Sequence, residues 1–85
     1  MNKRKLLEKI QNGSKNLRYS DFVTLIEAFG FEHIRAKGSH EIFKREGVAD
    51  TINIQNRNGY AKSYQVKQFL STIEQYNLKL EDDEG

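Results

Sequence analysis

The sequence predicts an α+β fold, a three-stranded antiparallel sheet with helices packed on one face and an additional helix at the N-terminus. Three observations lead there. Apolar residues recur at helical spacing in three stretches. Between the second and third stretches lie three segments with the alternation or β-branched and aromatic content of strands. The connections between those segments are too short for the crossovers of a parallel sheet, so neighbouring strands must run antiparallel.

The elements follow in order. Lys3 to Gln11 reads as a short helix, because Leu6, Leu7 and Ile10 fall on one face, and Asn12, Gly13 and Ser14 end it. Ser20 is placed to cap a second helix with Asp21 in its first turn, and Phe22, Val23, Leu25, Ile26 and Phe29 form its apolar stripe. Gly30 supplies a left-handed stop, with Phe31 folding back on Ile26. Glu32 to Ala36 and Ser39 to Arg45 are the arms of a hairpin whose central turn residues are Lys37 and Gly38. Glu46 to Asp50 links to a strand over Thr51 to Gln55, where Ile52 and Ile54 face the core. Asn56 to Tyr60 reads as a polar turn. Ser63 is placed to cap a last helix running through Tyr76, with Val66, Phe69, Leu70 and Ile73 on its buried face, and Asn77 ends it in the left-handed conformation.

Eighty-five residues is one domain's worth of chain, with 36% apolar and 31% charged residues. No apolar run is long enough to cross a bilayer. Lys3, Arg4 and Lys5 are followed by an amphipathic segment without the continuous apolar stretch and cleavage site of a secretory signal, so a cytoplasmic location is expected. Cysteine is absent, and the two histidines, seven positions apart, do not fit a ligand pair, which argues against a metal cofactor. The formal charge is +2, but four of the 12 acids are Glu81, Asp82, Asp83 and Glu84. Without them the body holds 14 basic against eight acidic residues, a net of +6, which favours polyanionic partners.

Lys37, Gly38, Ser39 and His40 carry the most chemistry, because they put an imidazole at the start of a strand just beyond a tight turn. An exposed imidazole exchanges protons near neutrality, so it can take a proton from a ribose 2′-hydroxyl and return one to a leaving 5′-oxygen. Gly38 lets backbone approach a ligand closely, and Ser39 offers a hydroxyl and an amide to phosphate oxygens. Lys37, Lys44 and Arg45 can offset charge that builds on phosphorus. Lys62, Tyr64, Gln65 and Lys67 present basic and polar groups at a helix start, where free amides already suit an anion. Tyr60 and Tyr64 can stack on unpaired bases. His33 competes with His40, but it lies between Glu32 and Ile34 without glycine or clustered lysine, and reads as structural or solvent-facing.

Gly38, Ser39, His40 and Phe43, preceded by the helix that ends in Gly30 and Phe31 and followed by Ile52 to Ile54, Ala61, Lys62, Tyr64 to Lys67, Phe69 and Leu70, resemble the HicA toxins of bacterial type II toxin–antitoxin systems. The resemblance covers Tyr19 to Leu78. It implies a fold similar to double-stranded-RNA-binding domains and an mRNA interferase, an endoribonuclease that cleaves without a metal or other cofactor. It also implies a HicB-like antitoxin as protein partner, with mRNA as the substrate, and it puts the catalytic histidine on His40. The organisation expected is one HicA-like domain over residues 1–85, with an N-terminal helical extension over 1–18, a core over 19–78 and an acidic tail over 79–85. Glu41 departs from many members and brings a carboxylate that can orient the ring, raise its basicity or repel phosphate. The first helix is an extension whose role the resemblance does not supply; packing beside the sheet and binding the antitoxin both stay open.

Two other classes fit the same residues, a non-catalytic RNA-binding module and a protein-interaction domain with a basic face. The face of the sheet that His40 occupies is also open at this level, because Ile42 and Phe43 both call for burial and point opposite ways. If Phe43 faces the helices, His40 looks outward, unless a bulge near Glu41 intervenes.

Overall fold

A computed structural model describes residues 3–13 and 16–80. The order is α1 (Lys3–Gln11), α2 (Tyr19–Ala28), β1 (Glu32–Lys37), β2 (His40–Lys44), β3 (Ile52–Arg57), β4 (Tyr60–Ala61) and α3 (Ser63–Gln75). The sheet is antiparallel, in the order β1-β2-β3-β4. The α+β class therefore holds, with one strand more than expected. From α2 to α3 the element order agrees with the double-stranded-RNA-binding-domain resemblance. Ser14, expected to help end α1, and the acidic residues from Glu81 onward lie outside the described residues.

One apolar core joins all three helices to one face of the sheet. Phe22, Leu25, Ile26 and Phe29 from α2 and its C-terminal end meet Phe69 and Ile73 from α3, and Phe43, Ile52 and Ile54 from the strands. Phe69 is its hub, fully buried and in edge-to-face contact with Phe22, Phe29 and Phe31 at centroid distances of 5.7, 5.6 and 6.0 Å. Leu6 and Ile10 of α1 are buried in the same cluster, so the N-terminal helix is part of the core. It packs against α2.

The helix ends follow the local chemistry on one side and depart from it on the other. At the C-terminus of α2, Gly30 has φ +87°, its amide donates to the Glu27 carbonyl at 2.9 Å, and the Phe31 amide reaches the Ile26 carbonyl at 3.4 Å. Asn77 repeats this after α3, with φ +53° and the Leu78 amide 2.8 Å from the Ile73 carbonyl. Both are the expected left-handed endings. The expected serine caps are absent. Ser20 and Ser63 lie inside their helices, whose N-caps are Arg18 and Lys62 without side-chain cap bonds. Tertiary pairing does that work for α2: Arg18 bridges to Tyr60, and the Tyr19 amide donates to the Gly59 carbonyl at 2.9 Å.

The first hairpin is shifted by one residue from the expected turn, and a second hairpin stands where a polar turn is expected. Lys37 pairs with His40, so the central turn residues are Gly38 and Ser39, with φ +61° at Gly38. Glycine at the first central position is the type II′ requirement. Asn56 to Tyr60 reads as a plain polar turn, yet Asn58 (φ 54°) and Gly59 (φ 89°) form the two-residue connection between β3 and β4. Two successive positive φ values at Asn-Gly mark a type I′ turn, and this dipeptide is the sequence signal for β4. The bulge lies in β1, between His33 and Arg35, rather than near Glu41.

Candidate nucleic-acid interface and active site

Burial decides the faces. Phe43 is enclosed in the core, and side chains alternate along a strand, so Glu41 shares the helix-covered side while His40, Ile42 and Lys44 take the other. Cross-strand register extends that second face: Lys37 and Gln55 flank His40, and Arg35 and Asn53 flank Ile42. Arg57, two residues beyond Gln55, continues the row on β3. Ile42 is itself buried although it stands outside the main core cluster. The face is cationic. Among the strand residues, its one carboxylate is Glu32, in register with Lys44 at the far end.

His40 is half-exposed, and its Nδ1 lies 2.8 Å from Asn53 Oδ1. An amide oxygen only accepts, so Nδ1 donates in this contact, and in the neutral ring Nε2 then carries the lone pair, directed away from Asn53. The Gln55 side chain ties the turn to α3: its Nε2 donates to Ser39 Oγ at 2.8 Å, and its Oε1 accepts from Lys62 Nζ at 2.6 Å. The backbone amide of Gln55 donates outward to Gln65 Oε1 at 2.9 Å. With that amide used on the far side, His40 and Gln55 form a non-hydrogen-bonded pair, the class whose side chains stand closest. The turn and Lys62 are thus held in one polar network through Gln55, beside the His40–Asn53 pair.

The residues expected in the site divide accordingly. Lys37, Gly38, Ser39, His40 and Lys44 lie on or at the rim of this face, and Lys62 joins them through Gln55. A Cβ placed on Gly38 would meet nothing within 4 Å, so the backbone there is open to a ligand, and the positive φ is what calls for glycine. Tyr64 and Lys67 are exposed on α3. Two residues go elsewhere. Arg45 donates from its guanidinium to the Phe29 carbonyl at 2.6 Å, closing the end of α2. Gln65 is buried, its oxygen completing the β3 ladder where the two-residue β4 stops and its Nε2 3.4 Å from the Tyr64 hydroxyl.

Glu41 does not touch His40. Its Oε2 accepts a hydrogen bond from the Tyr19 hydroxyl, and its Oε1 lies 3.4 Å from His33 Nε2. His33 also stands edge-on to Phe43 at 5.2 Å, so the second imidazole belongs to the helix-covered side. Burial, then the hydrogen bond to Glu41 and its negative charge, push the Tyr19 hydroxyl well above the usual tyrosine range and keep it neutral. Sequence reasoning passed over Asn53 and Gln55 as site residues. They are the polar positions of the alternating strand, and pairing that strand against the His40 arm would have found them.

Over residues 19–77 the chain matches the family of HicA toxins of bacterial toxin–antitoxin systems. This chain belongs to the HicA toxin family. The match spans α2 to α3 and so contains the whole His40 face, whereas α1 lies before it. Comparison with curated proteins and with solved structures returned no match. Among the described residues, no helix is long and apolar enough to cross a membrane, and no group of three or more histidine and carboxylate side chains could hold a metal ion.

Proposed function

We propose that this HicA-family chain is an mRNA interferase, an endoribonuclease whose single catalytic residue is His40. The observation that carries the reading is the environment of that imidazole: half-exposed, on a cationic sheet face, with Asn53 holding Nδ1–H and Nε2 left free. Nε2 takes the proton of a ribose 2′-hydroxyl, whose oxygen attacks the adjacent phosphorus. The imidazolium then returns a proton to the departing 5′-oxygen, leaving a 2′,3′-cyclic phosphate. Lys37 and Lys62, with the open backbone at Gly38 and the hydroxyl of Ser39, hold the phosphate, and the lysines offset the negative charge that builds on it. Each step uses only the chain's own groups, and the reaction calls for no metal or other cofactor.

The partner is a HicB-like antitoxin that covers the same face. Its contact would silence the nuclease by closing the approach to His40 and neutralising the lysine and arginine row. Arg45 and Gln65 are left out of RNA contact in this reading, since both are engaged in closing the fold.

The test uses purified full-length protein, end-labelled RNA and a chelator. Strand shortening with cyclic-phosphate ends, lost in a folded His40→Ala variant, is the expected result. Retained RNA binding without shortening would assign the face to a non-catalytic binding module, and cleavage that survives His40→Ala would place the chemistry elsewhere.

A further inference from the structure

All five phenylalanines and Tyr19 are enclosed, yet two large aromatic side chains stand out in solvent around a single cleft. Tyr60 is 43% and Tyr64 55% exposed. Both line a depression of about 740 Å³ between the β3–β4 hairpin and the first turn of α3. Arg57 and Lys62 add two cations to its wall, and Asn16 and Asn58 add two amides able both to donate and to accept. Among the described residues its lining contains no carboxylate. The Tyr64 hydroxyl is met by Gln65 Nε2, which gives that ring a polar anchor at its outer end.

We propose that this cleft is a subsite for an unpaired nucleobase, and that it confines the RNA accepted by the His40 face to single-stranded segments. The proposal rests on the RNA-cleaving reading and adds the form of the substrate. Aromatic faces stack on any base, flanking cations hold the backbone, and amides read a base edge, which is how single-stranded RNA is gripped. Lys62 connects the two places: it lines the cleft, and its Nζ donates to Gln55, the cross-strand partner of His40. A strand whose base enters between the tyrosines therefore passes its sugar-phosphate over Lys62 toward the imidazole. A continuous duplex keeps its bases paired and stacked and cannot insert one, although the fold resembles a duplex-binding domain.

The probe is a single-stranded oligonucleotide carrying 2-aminopurine with 2′-O-methyl sugars, which lack the hydroxyl nucleophile and so stay intact on full-length wild-type protein. Binding with altered 2-aminopurine fluorescence is expected for the single strand and not for the same strand annealed to its complement. Tyr64→Ala, and Tyr60→Val, which keeps a strand-forming residue in β4, should each weaken binding roughly 5- to 150-fold, the range for one lost base stack. Their unfolding midpoints should match wild type, because both rings are exposed. Equal affinity for the duplex, or unchanged fluorescence in the Tyr60→Val, Tyr64→Ala double variant, overturns the proposal. So does loss of antitoxin binding in that double variant with RNA binding intact, which would make the cleft a protein contact. Because the probe is never cut, the outcome is independent of His40: base stacking without any cleavage of natural RNA would leave the subsite standing and remove the nuclease reading.

Discussion

The contact between Asn53 and His40 is the place where the proposed mechanism is most exposed to test. Asn53 Oδ1 stands 2.8 Å from Nδ1, and removing it as Asn53→Ala takes away the acceptor that selects the Nδ1–H tautomer and fixes the ring plane. A neutral hydrogen bond of this kind contributes about 0.5–1.5 kcal/mol net. That corresponds to roughly a 2- to 10-fold loss in the population of correctly set imidazole, and so in cleavage rate. The loss is modest because the base itself remains; His40→Ala should instead abolish the reaction. Asn53→Asp separates positioning from simple packing: a carboxylate facing Nδ1 favours the protonated ring, so the acid limb of the pH–rate profile should move to higher pH. Rates come from a fluorophore–quencher RNA across a pH series, and the tautomer from ¹⁵N resonances of the imidazole in the free protein. Asn53 is exposed, so both variants should unfold with wild-type cooperativity. If Asn53→Ala leaves the nitrogen resonances and the rate unchanged, the contact sets neither tautomer nor orientation, and the reasoning fails.

Two further predictions concern the scaffold. Phe69 is fully buried among three aromatic rings, so Phe69→Ala should cost about 3–5 kcal/mol, a large share of the stability of a domain this size, and chemical denaturation should show the chain partly or wholly unfolded in buffer. Tyr19→Phe should cost about 1 kcal/mol near neutral pH by removing the donor to Glu41. Because the folded state holds the Tyr19 phenol neutral above its ordinary range, the contribution is complete at pH below about 10 and fades as the unfolded chain's tyrosine ionises above it. The stability difference between wild type and Tyr19→Phe should therefore shrink as pH rises past about 10 in paired denaturation curves, and a difference that grows there would contradict the assignment.

Much of this molecule could be read from local chemistry. The extent of α1, the glycine stop at Gly30, the asparagine stop at Asn77 and the inward-facing Ile52 and Ile54 depend on spacing and on left-handed backbone preferences, which act within a few residues. The same holds for the helix-sheet-helix order and for the prominence of Gly38, Ser39 and His40. Non-local pairing escaped that level of reading. The Ser20 cap gave way where Arg18 is drawn into a bridge with Tyr60, and β4 is short enough to pass for loop despite its Asn-Gly signal. Arg45 and Gln65 carry the right chemistry for RNA contact but are claimed by a helix end and a strand edge.

Residue composition and periodicity alone determined an α+β chain with a basic body and one imidazole beside a tight turn, since those properties are local or additive. Tertiary structure decided which way that imidazole looks. Phe43 and Ile42 compete for burial with nearly equal apolar character, and only the aromatic cluster around Phe69, assembled from both helices flanking the sheet, selects Phe43. That choice turns Glu41 toward Tyr19 and His33, and leaves His40 among Asn53, Gln55 and the cations of the opposite face.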